Sequence, residues 1–144
     1  MHMGQIYKFA KKRSSHSGQG FVEFLLILMI LMVIVFGVLD LARIFNSLVV
    51  LSNASREAAR FGSRFPDDAP GMQQAAVDEA QSAGMIINTT DVSIFCTDTD
   101  SPPNGCDRGL PVVVTVTHNF NFILGQLFSA NPLLLSRQAQ MMVP

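Results

Sequence analysis

The feature that most constrains this chain is an uninterrupted apolar run near its N-terminus. The sixteen residues from Phe24 to Leu39 include no charged side chain, and Phe21 and Val22 add an apolar flank. At ~1.5 Å of rise per residue, a helix over 21–41 would cover roughly the ~30 Å of a bilayer core. A core helix of a soluble protein normally has a polar face, whereas this run is apolar all round. The run therefore predicts a membrane-spanning helix over about 21–41.

The charge distribution predicts how that helix is oriented. Residues 1–18 carry Lys8, Lys11, Lys12 and Arg13 and no acid, and the other 126 residues hold six basic and eleven acidic side chains, a net charge of −5. A basic block directly before an apolar span keeps the N-terminus in the cytoplasm. A nucleic-acid-binding arm is the alternative for residues 1–18, but four charges beside a span favour the topological interpretation. We expect no nucleic-acid partner.

The helical pattern continues past the span, since no proline follows until Pro66. A helix from Gln19 to Phe61 would be roughly 65 Å long, so its second half must project from the membrane and pack on another part of the chain. Gly62 is a plausible end for it. The pattern also predicts a Glu57–Arg60 pair. Apolar residues recur at helical spacing at Leu41, Ile44, Phe45, Leu48, Leu51, Ala54, Ala58 and Phe61.

The remaining sequence predicts a small α+β head. A short alanine-rich helix is expected over 70–83, ended by Gly84, followed by a short strand in "TDVSIFC". The stretch "LPVVVTVTHNFNF" alternates apolar and polar residues, as does "LLLSRQAQMMV", so both predict strands. The expected organisation is a basic leader (1–18), a long helix (19–62) and a head (63–144) in which the helix covers an antiparallel sheet.

Cys96 and Cys106 bracket "TDTDSPPNG" in a turn-rich segment. An even cysteine count in a domain expected outside the cytoplasm predicts a disulfide that closes this loop, with two unpaired thiols as the alternative. The oxygen-rich side chains of Asp98, Asp100 and Asp107 are weak calcium candidates, because they lack the regular ligand spacing of a calcium-binding loop. A solvated turn is the favoured interpretation, so no metal site and no cofactor is predicted.

Catalysis has little support in the sequence. The chain has three histidines, of which two lie in the leader, and it shows no phosphate-binding glycine loop, no metal-ligand cluster and no Ser/His/Asp set. His118 shares the apolar face of its predicted strand, where a core or strand-end position is favoured over a catalytic one. We therefore expect a protein that is not an enzyme.

The stretch "GQGFVEFLLILMILMVIVFGVLDLARIFNSLVVLSNASREAARFG" resembles the N-terminal signature of TadE-like pseudopilins of the tight-adherence (Tad, or Flp) type IV pilus system. In type IV prepilins a basic leader ends in glycine, and a glutamate follows five residues later. Gly18, Glu23 and the aromatic Phe24 fit the variant that is typical of the Tad system. The resemblance implies cleavage by a prepilin peptidase between Gly18 and Gln19, often with N-methylation. A cut after Gly20 is a poorer match.

The residues, taken together with the resemblance, predict roles for individual positions. Glu23, a costly carboxylate at the edge of the span, would pair with the N-terminal amine of a neighbouring subunit, or it would only mark the water boundary. Gly37 would allow close helix approach or local bending, or would simply be tolerated. Asp40 and Arg43 are expected to mark the outer interface, with inter-subunit ion pairs as a further possibility.

The leading hypothesis is a pilin or minor pseudopilin that leaves the cytoplasmic membrane and joins an extracellular filament for adhesion or surface attachment. Its expected partners are copies of itself or other pilins, prepilin peptidase, the inner-membrane assembly machinery and, before assembly, the lipid bilayer. The alternative is a single-pass anchored binding, sensor or assembly-accessory protein that does not polymerise. That protein would retain its leader, and Glu23 would be indifferent.

Overall fold

Helix and strand formation follows the hydrophobic periodicity of the chain. The computed structural model describes residues 17–96, 106, 108–123, 125 and 132–144. Its elements confirm the expected α+β class: α1 (Ser17–Arg64), α2 (Ala69–Ser82), a 3-10 turn (Thr89–Asp91), β1 (Val92–Cys96), β2 (Pro111–Phe120) and β3 (Leu133–Met142). The chain divides into two units, Met1–Val35 and Phe36–Pro144.

The described part of the first unit is helical throughout. Its residues 17–35 belong to α1, and the large apolar side chains from Phe21 to Val35 are exposed apart from the half-buried Leu28. A helix with no buried face contributes nothing to a folded core by itself. This unit therefore presents apolar surface in every direction around its axis.

The second unit is built on an antiparallel sheet in the order β1-β2-β3. Val116 of β2 pairs with Val92 of β1 on one side and with Arg137 of β3 on the other. Val112, Val114 and Val116 are fully buried, because alternate residues of β2 point toward the helices. The alternation that predicted the strand thus also identifies its buried face.

Helix α1 runs along β2 in the opposite direction. Near its start in this unit, the Arg43 guanidinium carbon lies 5.0 Å from the centroid of the Phe120 ring, at the end of β2. Near its C-terminal end, a Cβ built on Gly62 would lie 3.3 Å from Cγ1 of Val112, at the start of β2. The helix between these contacts is ~28 Å long and the strand ~26 Å, so the two elements match in length. The end of the sheet at Phe120 therefore lies beside the start of the part of α1 that belongs to this unit.

Helix α2 completes the core. Its Met72, Ala76 and Ala80 are fully buried and recur at helical spacing, as do Leu51, Ala54 and Ala58 of α1. The carboxylate of Asp68 caps the N-terminus by accepting the backbone N–H of Gly71 at 2.9 Å. Gly84, with a φ of 78°, follows its C-terminal end. The predicted short helix is confirmed, one residue earlier at each end.

Gly62 has a different role from the predicted one. Helix α1 continues two residues beyond it, to Arg64. A Cβ at this position would lie only 2.7 Å from Sδ of Met72. The missing side chain allows α2 to pack closely against α1, so Gly62 serves packing and does not end the helix.

The sequence suggested that the apolar residues of the second half of α1 form one packed face, but they do not. Leu51, Ala54 and Ala58 are buried, but Leu41 and Phe45 are 52% and 60% exposed. Positions 41 and 45 lie on the side of the helix turned away from the sheet, and Val49 extends this exposed apolar stripe. Hydrophobic spacing alone did not distinguish the helix face that packs on the sheet from the apolar face that stays exposed.

Candidate membrane-anchoring and assembly surface

Within the described residues, one helix is long and apolar enough to cross a bilayer by length and composition, the stretch Gly18–Arg64. The most apolar part of this helix buries no side chain within the chain. A soluble helix would cover such a surface with its own domain. The exposed apolar surface thus fits membrane anchoring. Its fully apolar part is available to contact lipid or other protein chains.

Gly18, Gln19 and Gly20 lie in the first turn of α1, and all three are exposed. A Cβ built on either glycine would meet nothing within 4 Å. Neither glycine is required by packing within the chain. The proposed cleavage bond between Gly18 and Gln19 is therefore on an open helix end, and the leader residues 1–16 lie outside the described residues.

Glu23 and Phe24 are both exposed on α1. Within the described part of the chain, the Glu23 carboxylate forms no ion pair and no hydrogen bond. A carboxylate at the edge of a hydrocarbon layer is unfavourable by about 2.5 kcal/mol or more unless a cation or the interface compensates it. Any partner that Glu23 has must come from outside the described chain.

Gly37 is helical and has open space around it. A Cβ at Gly37 would meet nothing within 4 Å, in contrast to Gly62. Packing within the chain therefore gives no reason for a glycine here. Close approach of another helix and local flexibility stay as the two predicted explanations.

Asp40 is a structural anchor of the second unit. Asp40 is only 4% exposed, and both of its carboxylate oxygens accept the backbone N–H of Ile123 at 3.0 Å. Arg43 donates to the same carboxylate at 3.2 Å. The sequence placed Asp40 at the outer interface and offered an inter-subunit pair. The structure gives this carboxylate a role within one chain, because it binds the segment that follows β2. Its position at the outer interface stays a prediction.

Arg43 reinforces the same junction from a half-exposed position. Its guanidinium lies over the ring of Phe120 and approaches the carbonyl oxygen of Asn121 at 3.5 Å. Phe122 packs edge-on against Phe120, with ring centroids 5.4 Å apart, and contributes to the core. Phe122 therefore belongs to the packed core of the head. Between Phe122 and β3, the structure describes Ile123, Gly125 and Pro132.

A groove of about 650 Å³ opens beside Arg43. Its walls are α1, the turn between α2 and β1, and the end of β2. Sequence reasoning missed this groove, because its residues come from three distant segments and carry no motif. Its polar side chains are Arg43, Asn46, Ser47, His118, Asn119 and Asn121, and its apolar side chains include Leu39, Val50, Met85 and Ile86.

The predicted Glu57–Arg60 pair is present on α1. Arg60 donates from Nε to Oε2 at 2.9 Å and from Nη2 to Oε1 at 2.6 Å. The hydrogen bond from Arg60 is the main reason why the pKa of Glu57 is held below its usual value. The same bond raises the pKa of Arg60. The pair is largely solvated and fixes two surface side chains.

Cys96 and Cys106 form a disulfide, with Cα atoms 5.4 Å apart. Both residues are buried in the core cluster. The backbone N–H of Cys106 donates to the carbonyl of Pro66 at 3.3 Å, which connects the loop to the turn between α1 and α2. The weak calcium candidates Asp98, Asp100 and Asp107 lie outside the described residues. Elsewhere, the described residues include no group of three or more His, Cys, Asp or Glu side chains arranged for a metal ion.

Comparison with known proteins gives one finding. Residues 18–60 match the family described as TadE-like protein. No curated protein and no solved structure was found to be similar to the chain. The family match confirms the resemblance, and it covers the apolar run, Glu23 and the first part of the helix that packs on the sheet.

Proposed function

This chain is TadE-like over residues 18–60, and that family connects it with the Tad pilus system. We propose that the protein is a structural subunit of a Tad-type type IV pilus, either a pilin or a minor pseudopilin. In this proposal α1 anchors the chain in the cytoplasmic membrane, with the N-terminus in the cytoplasm. The same helix later carries the chain into an extracellular filament that serves adhesion or surface attachment. The protein has no enzymatic role.

The observation that carries the proposal is the coincidence of the family match with a helix surface that the chain leaves uncovered. The match begins at Gly18 and spans the exposed apolar residues of α1. Lipid and protein interiors are similarly apolar, so moving this helix from lipid into a bundle yields little hydrophobic free energy. Packing, specific polar contacts and an external assembly machine must supply the rest.

Glu23 is the polar contact we assign to assembly. Its carboxylate has no partner within the described chain, and an unpaired charge is strongly unfavourable once buried. A cation on a neighbouring subunit would fix the axial register of adjacent helices. If prepilin peptidase cleaves after Gly18, the free amine of Gln19 is that cation.

The experiment is mass spectrometry of sheared extracellular material from cells that express the full chain. A mature fragment beginning at Gln19 in filaments is the expected result. Full-length protein confined to the membrane fraction would overturn the filament proposal and favour an anchored accessory or binding protein. Full-length protein inside filaments would retain the subunit role and overturn the cleavage step.

The role of Glu23 is tested separately with Glu23→Gln. The variant should insert in the membrane at the normal level and lose filament yield, because the neutral amide forms no ion pair. Glu57→Gln is the matched control, since Glu57 is an acid on the same helix whose partner, Arg60, lies within the chain. Equal filament yield from both variants would contradict the role of Glu23.

A further inference from the structure

The end of the second unit at Phe120 is the end that chain connectivity brings to the membrane. Asp40 is the first charged residue after the apolar run, and its carboxylate holds the backbone of Ile123. Arg43, one turn later, lies over Phe120. There is no spacer between the apolar run and the folded head, so this end of the head must lie near the lipid headgroups of a membrane-anchored chain.

Apolar side chains are exposed at this same end. Ile86, in the turn between α2 and β1, is 84% exposed, the largest exposure among the large apolar side chains of the described residues. Ile86 lines the groove together with Leu39 and Arg43. Ile123 is also exposed. We name the surface formed by Leu39, Arg43, Ile86 and Ile123 the basal surface.

The groove in the basal surface has the chemistry of a headgroup site. None of its lining residues is acidic. Arg43 already donates from Nη1 to the Asp40 carboxylate at 3.2 Å, so its other N–H groups are the ones available to a ligand. It offers the half-exposed guanidinium of Arg43 and the side-chain amides of Asn46 and Asn119, beside an apolar wall that includes Leu39 and Ile86. Guanidinium and amide N–H groups donate to phosphate oxygens. An amphipathic ligand with a phosphate and adjacent hydrocarbon would satisfy both walls.

The heights along α1 agree with this chemistry. The headgroup layer on one side of a bilayer is ~5–7 Å thick. From Leu41, the last residue of the predicted span, to Phe45 the helix rises ~6 Å. The groove is lined on α1 from Leu39 onward and includes Ala42, Arg43 and Asn46. Ala42 and Arg43 therefore fall at the depth of the headgroups, and the groove extends beyond that depth along α1 to Val50.

We propose that the basal surface binds the phospholipid headgroup layer, with phosphate in the groove beside Arg43 and with Ile86 and Ile123 inserted next to it. This holds the head against the bilayer before any assembly occurs. The inference depends on membrane anchoring but not on the filament role. If the chain forms no filaments, lipid binding by the basal surface can still hold, and if the basal surface binds no lipid, the filament role can still hold. Lipid is the chosen occupant because α1 itself brings a bilayer to this end of the head.

The chain has no tryptophan, so one introduced residue serves as a unique fluorescent reporter. We would place the full-length Ile86→Trp variant in nanodiscs at one copy per disc, with or without lipids brominated high on the acyl chains. Bromine quenches tryptophan at contact distance. The matched control is Phe95→Trp, because Phe95 is also exposed but pairs with Val113, toward the opposite end of the sheet.

The expected result is a loss of emission for Ile86→Trp in brominated lipid and unchanged emission for Phe95→Trp. Unchanged emission for both would overturn the proposal. A blue shift of Ile86→Trp that needs two copies per disc and shows no quenching at one copy would put protein on this surface, and would overturn it too.

A second pair tests the headgroup contact. Asn46→Asp adds a carboxylate to the groove, whereas Asn53→Asp adds one to an exposed position on the same helix that does not line the groove. In discs of anionic lipid, the first change should reduce quenching of the Ile86→Trp reporter and the second should not. Equal quenching in both would overturn the assignment of phosphate to the groove.

Discussion

The carboxylate of Asp40 accepts the backbone N–H of Ile123 with both of its oxygens, at 3.0 Å each. Eighty-three residues separate the two groups along the chain. The bond therefore connects the start of the head's helix to the segment that leaves β2. A charged side chain that the sequence predicts at the outer interface also holds together the end of the head at Phe120.

Asp40→Ala should release this segment. Removing the acceptor leaves the Ile123 N–H unsatisfied, and we expect a loss of about 1–3 kcal/mol in the free energy of unfolding of the head. Faster amide hydrogen exchange at Ile123, measured on the full chain, should accompany the loss. Asp67→Asn is the control, because Asp67 is an exposed acid without such a contact in the described chain. Unchanged exchange at Ile123 would contradict the anchor role.

Gly62→Ala should destabilise the head, although alanine is the better helix former. A Cβ at position 62 would lie 2.7 Å from Sδ of the fully buried Met72. Overpacking of this kind costs about 1–3 kcal/mol. Gly37→Ala is the matched control, because its Cβ would meet nothing within 4 Å. Thermal unfolding should show a lower midpoint for Gly62→Ala only.

These two positions show what the sequence could and could not predict. Periodicity correctly predicted both helices, the three strands and the buried face of β2, because local spacing decides which residues share a face. It could not assign Gly62 or Asp40, since their neighbours Met72 and Ile123 are distant in sequence. The same reason hid the groove at Arg43. Glu23 is the reverse case, because its motif is local and its proposed partner is another molecule.

Breaking the disulfide should also destabilise the head. Cys96 and Cys106 are ten residues apart, and closing a loop of this length stabilises a fold by about 3 kcal/mol in the chain-entropy treatment. The double variant Cys96→Ser with Cys106→Ser should unfold at a lower temperature than the oxidised parent. Reducing agent should lower the midpoint of the parent and leave that of the variant unchanged. A midpoint of the parent that reductant does not alter would contradict this contribution.

Acid should weaken the contribution of the Glu57–Arg60 pair. Because the pKa of Glu57 is lowered from 4.5 by the hydrogen bond from Arg60, this pair stabilises the folded chain at pH values above 4.5. The contribution is lost as the pH falls through the lower pKa of the folded state. The effect is small, since solvent screens an exposed pair. The difference in unfolding midpoint between the parent and Glu57→Gln should therefore shrink from pH 7 to pH 3.

Glu79→Gln, which removes an acid from α2, controls for the general effect of charge. A midpoint difference for Glu57→Gln that stays constant across this range would show that the pair does not stabilise the fold.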